Sequence, residues 1–157
     1  MRIGRLAATL LLCVLPASTA LASAALAQEW RGLGSGGPVR AAFTLKGKPA
    51  GVEFQCEAPG RVRTVVAGSG ARVPDGRAAT LVFSVDGVAE MLPAKAEAEP
   101  HGTGSRFARS DALSDLKPLF DRLRRGRELE LSGPAGAFRL PLKGSGKALG
   151  LLVERCG

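Results

Sequence analysis

Apolar and polar residues alternate with a period of two along much of the middle of this chain, as they do in strands with one buried face. Ala41, Phe43 and Leu45 alternate with Ala42, Thr44 and Lys46. Val52, Phe54, Cys56 and Ala58 alternate with Glu53, Gln55 and Glu57, and Lys46-Gly47-Lys48-Pro49 forms the turn between these two strands. Ala58-Pro59-Gly60 turns into a β-branched strand over 61–67, with Val62, Thr64, Val65 and Val66. Residues 68–76, GSGARVPDG, read as a loop. Leu81, Phe83 and Val85 then alternate with Thr80, Val82 and Ser84. Asp86-Gly87 marks a hairpin, because Gly accepts positive φ, and the return strand runs from Val88 to Ala94. Two stretches carry no clear period. Residues 28–38, QEWRGLGSGGP, read as a flexible glycine-rich lead-in, and residues 95–109, KAEAEPHGTGSRFAR, as the least ordered part of the chain.

Near residue 111 the period lengthens to that of a helix. Leu113, Leu116, Leu119, Phe120 and Leu123 share one face, with Asp115, Arg122 and Arg125 on the other, which predicts a helix over about 111–125. Pro118 either sits in its first turn or kinks a helix that begins earlier. Gly126 is the natural C-terminal cap. Glu128 to Leu131 and Ala137 to Leu142 read as a hairpin about Ser132-Gly133-Pro134-Ala135-Gly136. Ser145 is placed to cap a last helix, in which Leu149, Leu152, Val153 and Cys156 share a face. About five strands, a helix, a hairpin and a helix contain no βαβ alternation. The expectation is one α+β domain with an antiparallel β-sheet, sandwich or barrel-like, and two helices covering one side.

The first 27 residues change where this domain is expected to work. A basic start, Met1-Arg2-Ile3-Gly4-Arg5, precedes an apolar stretch from Leu6 to Leu15 and small residues ending in Ala25-Leu26-Ala27. That is the layout of a secretory signal peptide, with cleavage expected between Ala27 and Gln28. About ten apolar residues fall short of the roughly 20 that span a bilayer, so no retained transmembrane segment is expected. Cys13 lies in the middle of the apolar stretch behind Leu12, unlike a lipidation site. Residues 1–27 are thus read as a leader and 28–157 as a single exported domain, periplasmic or secreted. The whole chain carries 22 Lys and Arg against 14 Asp and Glu; without Arg2 and Arg5 the net charge is +6.

Cys56 and Cys156 are the cysteines that remain after cleavage. The strand period turns Cys56 inward, and the helix period turns Cys156 inward. In an oxidising compartment the simplest outcome is one disulfide, Cys56–Cys156. Two buried thiols or a redox pair are the alternatives; no CxxC motif supports redox work.

Catalytic and cofactor chemistry finds little material. There is one His and no Tyr. Gly32-Leu33-Gly34-Ser35-Gly36-Gly37 fits GxGxxG by letter, but a dinucleotide site needs a buried strand before it and a helix after it. Lys143-Gly144-Ser145-Gly146-Lys147 resembles a phosphate loop, yet Pro141 and Ala148 break the required spacing. A helix N-terminus flanked by Lys143 and Lys147 still suits an anion. His101 lacks a second His for a metal and a GxSxG nucleophile. Asp111, Asp115 and Asp121 read as a solvated helix face. No cofactor and no metal are expected. Arg122, Arg124, Arg125 and Arg127 form the sharpest charge cluster: they either complement a helix C-terminus or contact an anionic partner. Few aromatics and export both argue against nucleic acid.

The C-terminal third also carries a family resemblance. Residues 119–131, LFDRLRRGRELEL, give helix, Gly, strand; residues 138–149, FRLPLKGSGKAL, give strand, Gly-Ser, helix, ending at Cys156. This resembles the small exported bacterial domains related to the invasion-associated locus B protein, and is similar to the C-terminal part of type VI secretion-associated periplasmic proteins. The resemblance implies an envelope location, a β-rich fold with a helix-borne cysteine, and no catalytic residues to carry over. The expected function is non-enzymatic binding in the cell envelope, to an envelope protein or an anionic polymer. A structural or accessory subunit of a secretion assembly is the alternative, and a small hydrolase built around His101 a third.

Overall fold

The computed structural model describes residues 28–34 and 37–157; the signal-peptide reading of 1–27 lies outside them. The strands are β1 (Gln28–Leu33), β2 (Arg40–Leu45), β3 (Lys48–Ala58), β4 (Arg61–Ala67), β5 (Ala78–Val85), β6 (Val88–Ala98) and β7 (Ser105–Ala112). Helix α1 (Leu113–Arg125), strands β8 (Glu128–Gly133) and β9 (Gly136–Pro141), and helix α2 (Ser145–Cys156) follow. All nine strands join one antiparallel sheet in the order β1-β2-β3-β4-β7-β6-β5-β8-β9. The sheet curls into a nearly closed barrel. Its two ends approach where the Trp30 N–H donates to the Lys143 carbonyl, just past β9, at 2.9 Å. The expected fold class, an antiparallel α+β domain with a barrel-like sheet, is what forms.

Alternation decides what fills the barrel. Val52 and Phe54 of β3, Val62 and Val66 of β4, and Leu81, Phe83 and Val85 of β5 are all buried. So are Leu92, Ala94 and Ala96 of β6, Phe107 of β7, and Leu129 and Leu131 of β8. The apolar face of α1, Leu113, Leu116, Leu119, Phe120 and Leu123, completes this core. Phe54 touches three aromatic partners: Trp30 at 6.0 Å between ring centroids, Phe83 at 6.4 Å and Phe120 at 4.9 Å.

The two helices run antiparallel to each other and are anchored at the same end of the strands. At the β3–β4 turn the Gly60 N–H donates to the Cys156 carbonyl (2.5 Å), and the Gly60 carbonyl accepts from Leu113 N–H (2.8 Å). One turn residue thus holds the last residue of α2 and the first of α1. Beside it, Cys56 and Cys156 form the expected disulfide between β3 and α2.

Several expectations are corrected. Residues 28–33 are a strand, not a flexible lead-in: six β1–β2 pairs order them, and Trp30 is 3% exposed. Residues 95–109 are largely ordered too. β6 continues through Ala94 and Ala96, buried between exposed Lys95 and half-buried Glu97, and β7 starts at Ser105. Only Ala marks that buried face, so the alternation is faint. Helix α1 begins at Leu113, which leaves Asp111 in β7 and puts Pro118 inside the helix. Pro118 and Ser114, whose carbonyl would have received the missing N–H, are both exposed, so that carbonyl is not left in the core. Gly126 does end α1, but with φ −76 rather than a left-handed turn. A Cβ there would lie 2.6 Å from Val85 Cγ1, so close packing is what demands glycine.

The cross-link spans 100 residues of sequence. The chain-entropy model gives it about 4–5 kcal/mol. Cys56→Ser and Cys156→Ser are expected to lower unfolding free energy in urea by similar amounts, with the double variant no worse than either. Additive losses would contradict a shared bond.

Candidate functional site

The cationic residues singled out in the sequence converge on the junction of the two helices. Arg122, Arg124 and Arg125 occupy the last turn of α1, where the helix dipole favours positive charge. That turn abuts the start of α2: the Ser145 hydroxyl, fully buried, donates to the Leu123 carbonyl at 2.7 Å. Ser145 therefore does not cap α2. The cap position belongs to Gly144, in a left-handed conformation at φ +86. A Cβ at Gly144 would lie 2.5 Å from the Trp30 carbonyl, so no side chain fits there. In consequence α2 starts without a side-chain cap and without an acidic residue in its first turn.

Around this uncapped start the fold gathers five of the six proposed anion-binding residues. Arg124 and Arg125 line a shallow groove together with Asp121 and Gly146. Lys143 and Lys147 bracket Gly146 in the chain, and both are exposed. Arg127 is brought beside Lys143 because its carbonyl accepts the Leu142 N–H at 2.9 Å. The Asp121–Arg124 contact is long, 3.9 Å, and exposed on both sides, so it holds Arg124 weakly.

Arg122 is the exception. It is half-buried and pairs with the Glu90 carboxylate of β6. With Arg109 and Asp111 of β7 it belongs to a second polar cluster that sequence reasoning missed. Asp111 binds Arg109 through both carboxylate oxygens. That hydrogen bond raises the Arg109 pKa above its ordinary value, against the opposing effect of burial; the charges of Asp111 and Glu90 add to the rise. The available signal was positional: Arg109 and Asp111 follow Phe107 at spacings of two, where the inward face calls for apolar residues.

The remaining candidates are dispersed. His101 lies on the exposed turn between β6 and β7, and Asp115 and Asp121 are exposed along α1. Gly32 is part of β1. Among the described residues no group of three or more His, Cys, Asp or Glu side chains is placed to hold a metal ion, and no helix is long and apolar enough to cross a membrane. Compared with known proteins, the chain matches no family model, no curated protein and no solved structure.

Removing the Ser145 hydroxyl leaves a buried carbonyl without its partner, a loss of about 1–2 kcal/mol. Ser145→Ala should therefore lower the urea midpoint without changing the slope of the transition. An unchanged midpoint would show that the α1–α2 junction does not depend on this bond.

Proposed function

We propose that this protein is a non-enzymatic, exported cell-envelope domain that binds an anionic polymer through the cationic collar around the start of α2. One observation carries the reading. A helix N-terminus has partial positive charge and favours anions by ~0.3–1 kcal/mol each. Here it is met by Lys147 in the first turn, Lys143 just before it, and Arg124 and Arg125 across the groove, with Asp121 the acidic residue lining that groove. The local field is left positive by the fold itself, since Gly144 has no room for a capping side chain. An anion over the groove would meet both the free N–H groups and the guanidinium groups.

The compartment follows from the same reading. A cross-link between a strand and the terminal helix is of the kind that persists in oxidising surroundings, and the resemblance to invasion-associated locus B-like and type VI secretion-associated periplasmic domains points to the same place. An accessory role in an envelope assembly is the second reading. It is favoured by Met91 and Val88, which are 73% and 56% exposed on β6.

Arg124→Glu combined with Arg125→Glu should elute from a phosphocellulose column at distinctly lower salt while the protein stays folded. Arg122→Gln should do the reverse: retention is kept, while loss of the Glu90 pair costs about 1 kcal/mol of stability. Equal retention of the double variant and the wild type would assign the collar to helix-end electrostatics alone.

A further inference from the structure

The β6–β7 ladder is shorter than the strands that make it. β6 spans Val88–Ala98 and β7 Ser105–Ala112, yet they pair only from Lys95 opposite Ala108 to Ala98 opposite Ser105. Beyond that point β6 stays paired with β5 down to Val88, and β7 stays paired with β4 down to Ala112. Each strand keeps one neighbour and turns its other backbone edge to the gap between them. Pro93, which has no N–H to give, lies two residues from the last pair; sheets tolerate proline at such open edges. Residues 88–94 offer about 23 Å of edge at roughly 3.3 Å per residue.

The inner wall of this gap is polar and incompletely satisfied. Continuing the β6–β7 register would set Arg109 opposite Ala94 and Asp111 opposite Leu92. Four buried side-chain polar atoms among the described residues have no hydrogen-bond partner, and three lie here: Thr64 Oγ1, Arg109 Nη1 and Arg122 Nε. Thr64 is fully buried and stands directly across the β4–β7 pair from Arg109. Asp111 engages Nε and Nη2 of Arg109, and Glu90 engages Nη2 of Arg122, so both carboxylates are already committed. What is left over is chiefly N–H donors. On the outer wall stands Met91, the most exposed large apolar side chain among the described residues.

We propose that the gap between β6 and β7 is a strand-addition site for an extended acidic segment of a partner protein. Its backbone pairs with the open edge of β6 over residues 88–94. One inward carboxylate faces the guanidinium groups of Arg109 and Arg122, whose side chains are 21% and 29% exposed, and the next residue, facing outward, covers Met91. The occupant is a strand because the gap presents backbone edges on its two sides. It is acidic because the unmet valences of the two arginines are donors. This inference is independent of the cationic collar, which lies on other residues.

The test uses the folded, cross-linked protein and a blocked seven-residue peptide of alternating Val and Glu, with Gln and Lys counterparts. Amide exchange is followed residue by residue. In the free protein the gap-facing amides of residues 88–92 should exchange fast, and saturating acidic peptide should slow them at least ten-fold. The Lys peptide should not. Arg109→Gln and Arg122→Gln should each weaken binding at least five-fold. Both also remove an ion pair, so Met91→Glu serves as a variant that leaves the cluster intact; it should weaken the acidic peptide more than the Gln peptide. Slow exchange of the gap-facing amides of 88–92 in the free protein would overturn the proposal, as would equal protection by acidic and Lys peptides. Protection confined to residues 124–127 and 143–147 would move the peptide to the collar, and protection of the edge by acetate alone would make the arginines a small-anion site.

Discussion

Phe54 is the contact on which the rest of this structure depends. It is fully buried, and its ring meets Trp30 from β1, Phe83 from β5 and Phe120 from α1. Those partners come from one edge of the sheet, from its far half and from the helix that fills it. Offset and edge-on aromatic pairs add about 0.5–1.5 kcal/mol each beyond simple burial, so a single side chain fixes three separate elements against one another. The curl of the sheet follows. β1 can lie close to the segment after β9 only if Trp30 is held inward, and Trp30 is held inward by Phe54 and Phe43.

The polar features of the molecule are products of that closure. Trp30 brings its backbone so near Gly144 that α2 must start on a bare glycine. The same approach packs the end of α1 against the start of α2, so arginines suited to one helix end come to surround another helix end that they do not suit. Asp86 shows the opposite outcome. Its carboxylate accepts the Arg127 and Glu128 N–H groups at 3.1 Å, and a hairpin turn thereby takes up the donors at the start of β8. Where the fold has space for a side chain, it satisfies its backbone; where it lacks space, it leaves charge exposed.

Much of this was legible in the sequence wherever the period was written in large residues. The strands bearing Phe43, Phe54 and Phe83, the apolar face of α1 and the inward aim of both cysteines could all be read directly. Where the period was written in small residues it was lost. β1 is broken up by glycine, and the end of β6 marks its buried face with Ala94 and Ala96 alone. The cationic cluster was legible as a cluster but not as a site. Arg122 differs from Arg124 and Arg125 only through Glu90, 32 residues away in sequence, and no local pattern reports such a partner. Ser145 misled because serine before a helix is ordinarily a cap; here the cap position is one residue earlier, and the hydroxyl is taken by α1.

The placement of the cross-link has a consequence for how the molecule is made. Cys56 belongs to the third strand, and its partner is the last residue of α2. A ribosome adding about 5–20 residues per second takes roughly 5–20 s to travel between them. Throughout that interval the first half of the sheet exists without its clasp, and the Trp30–Lys143 seam is equally unmade. The clasp can therefore close only once all nine strands and α2 have been synthesised, so it cannot guide the pairing of strands that form before then.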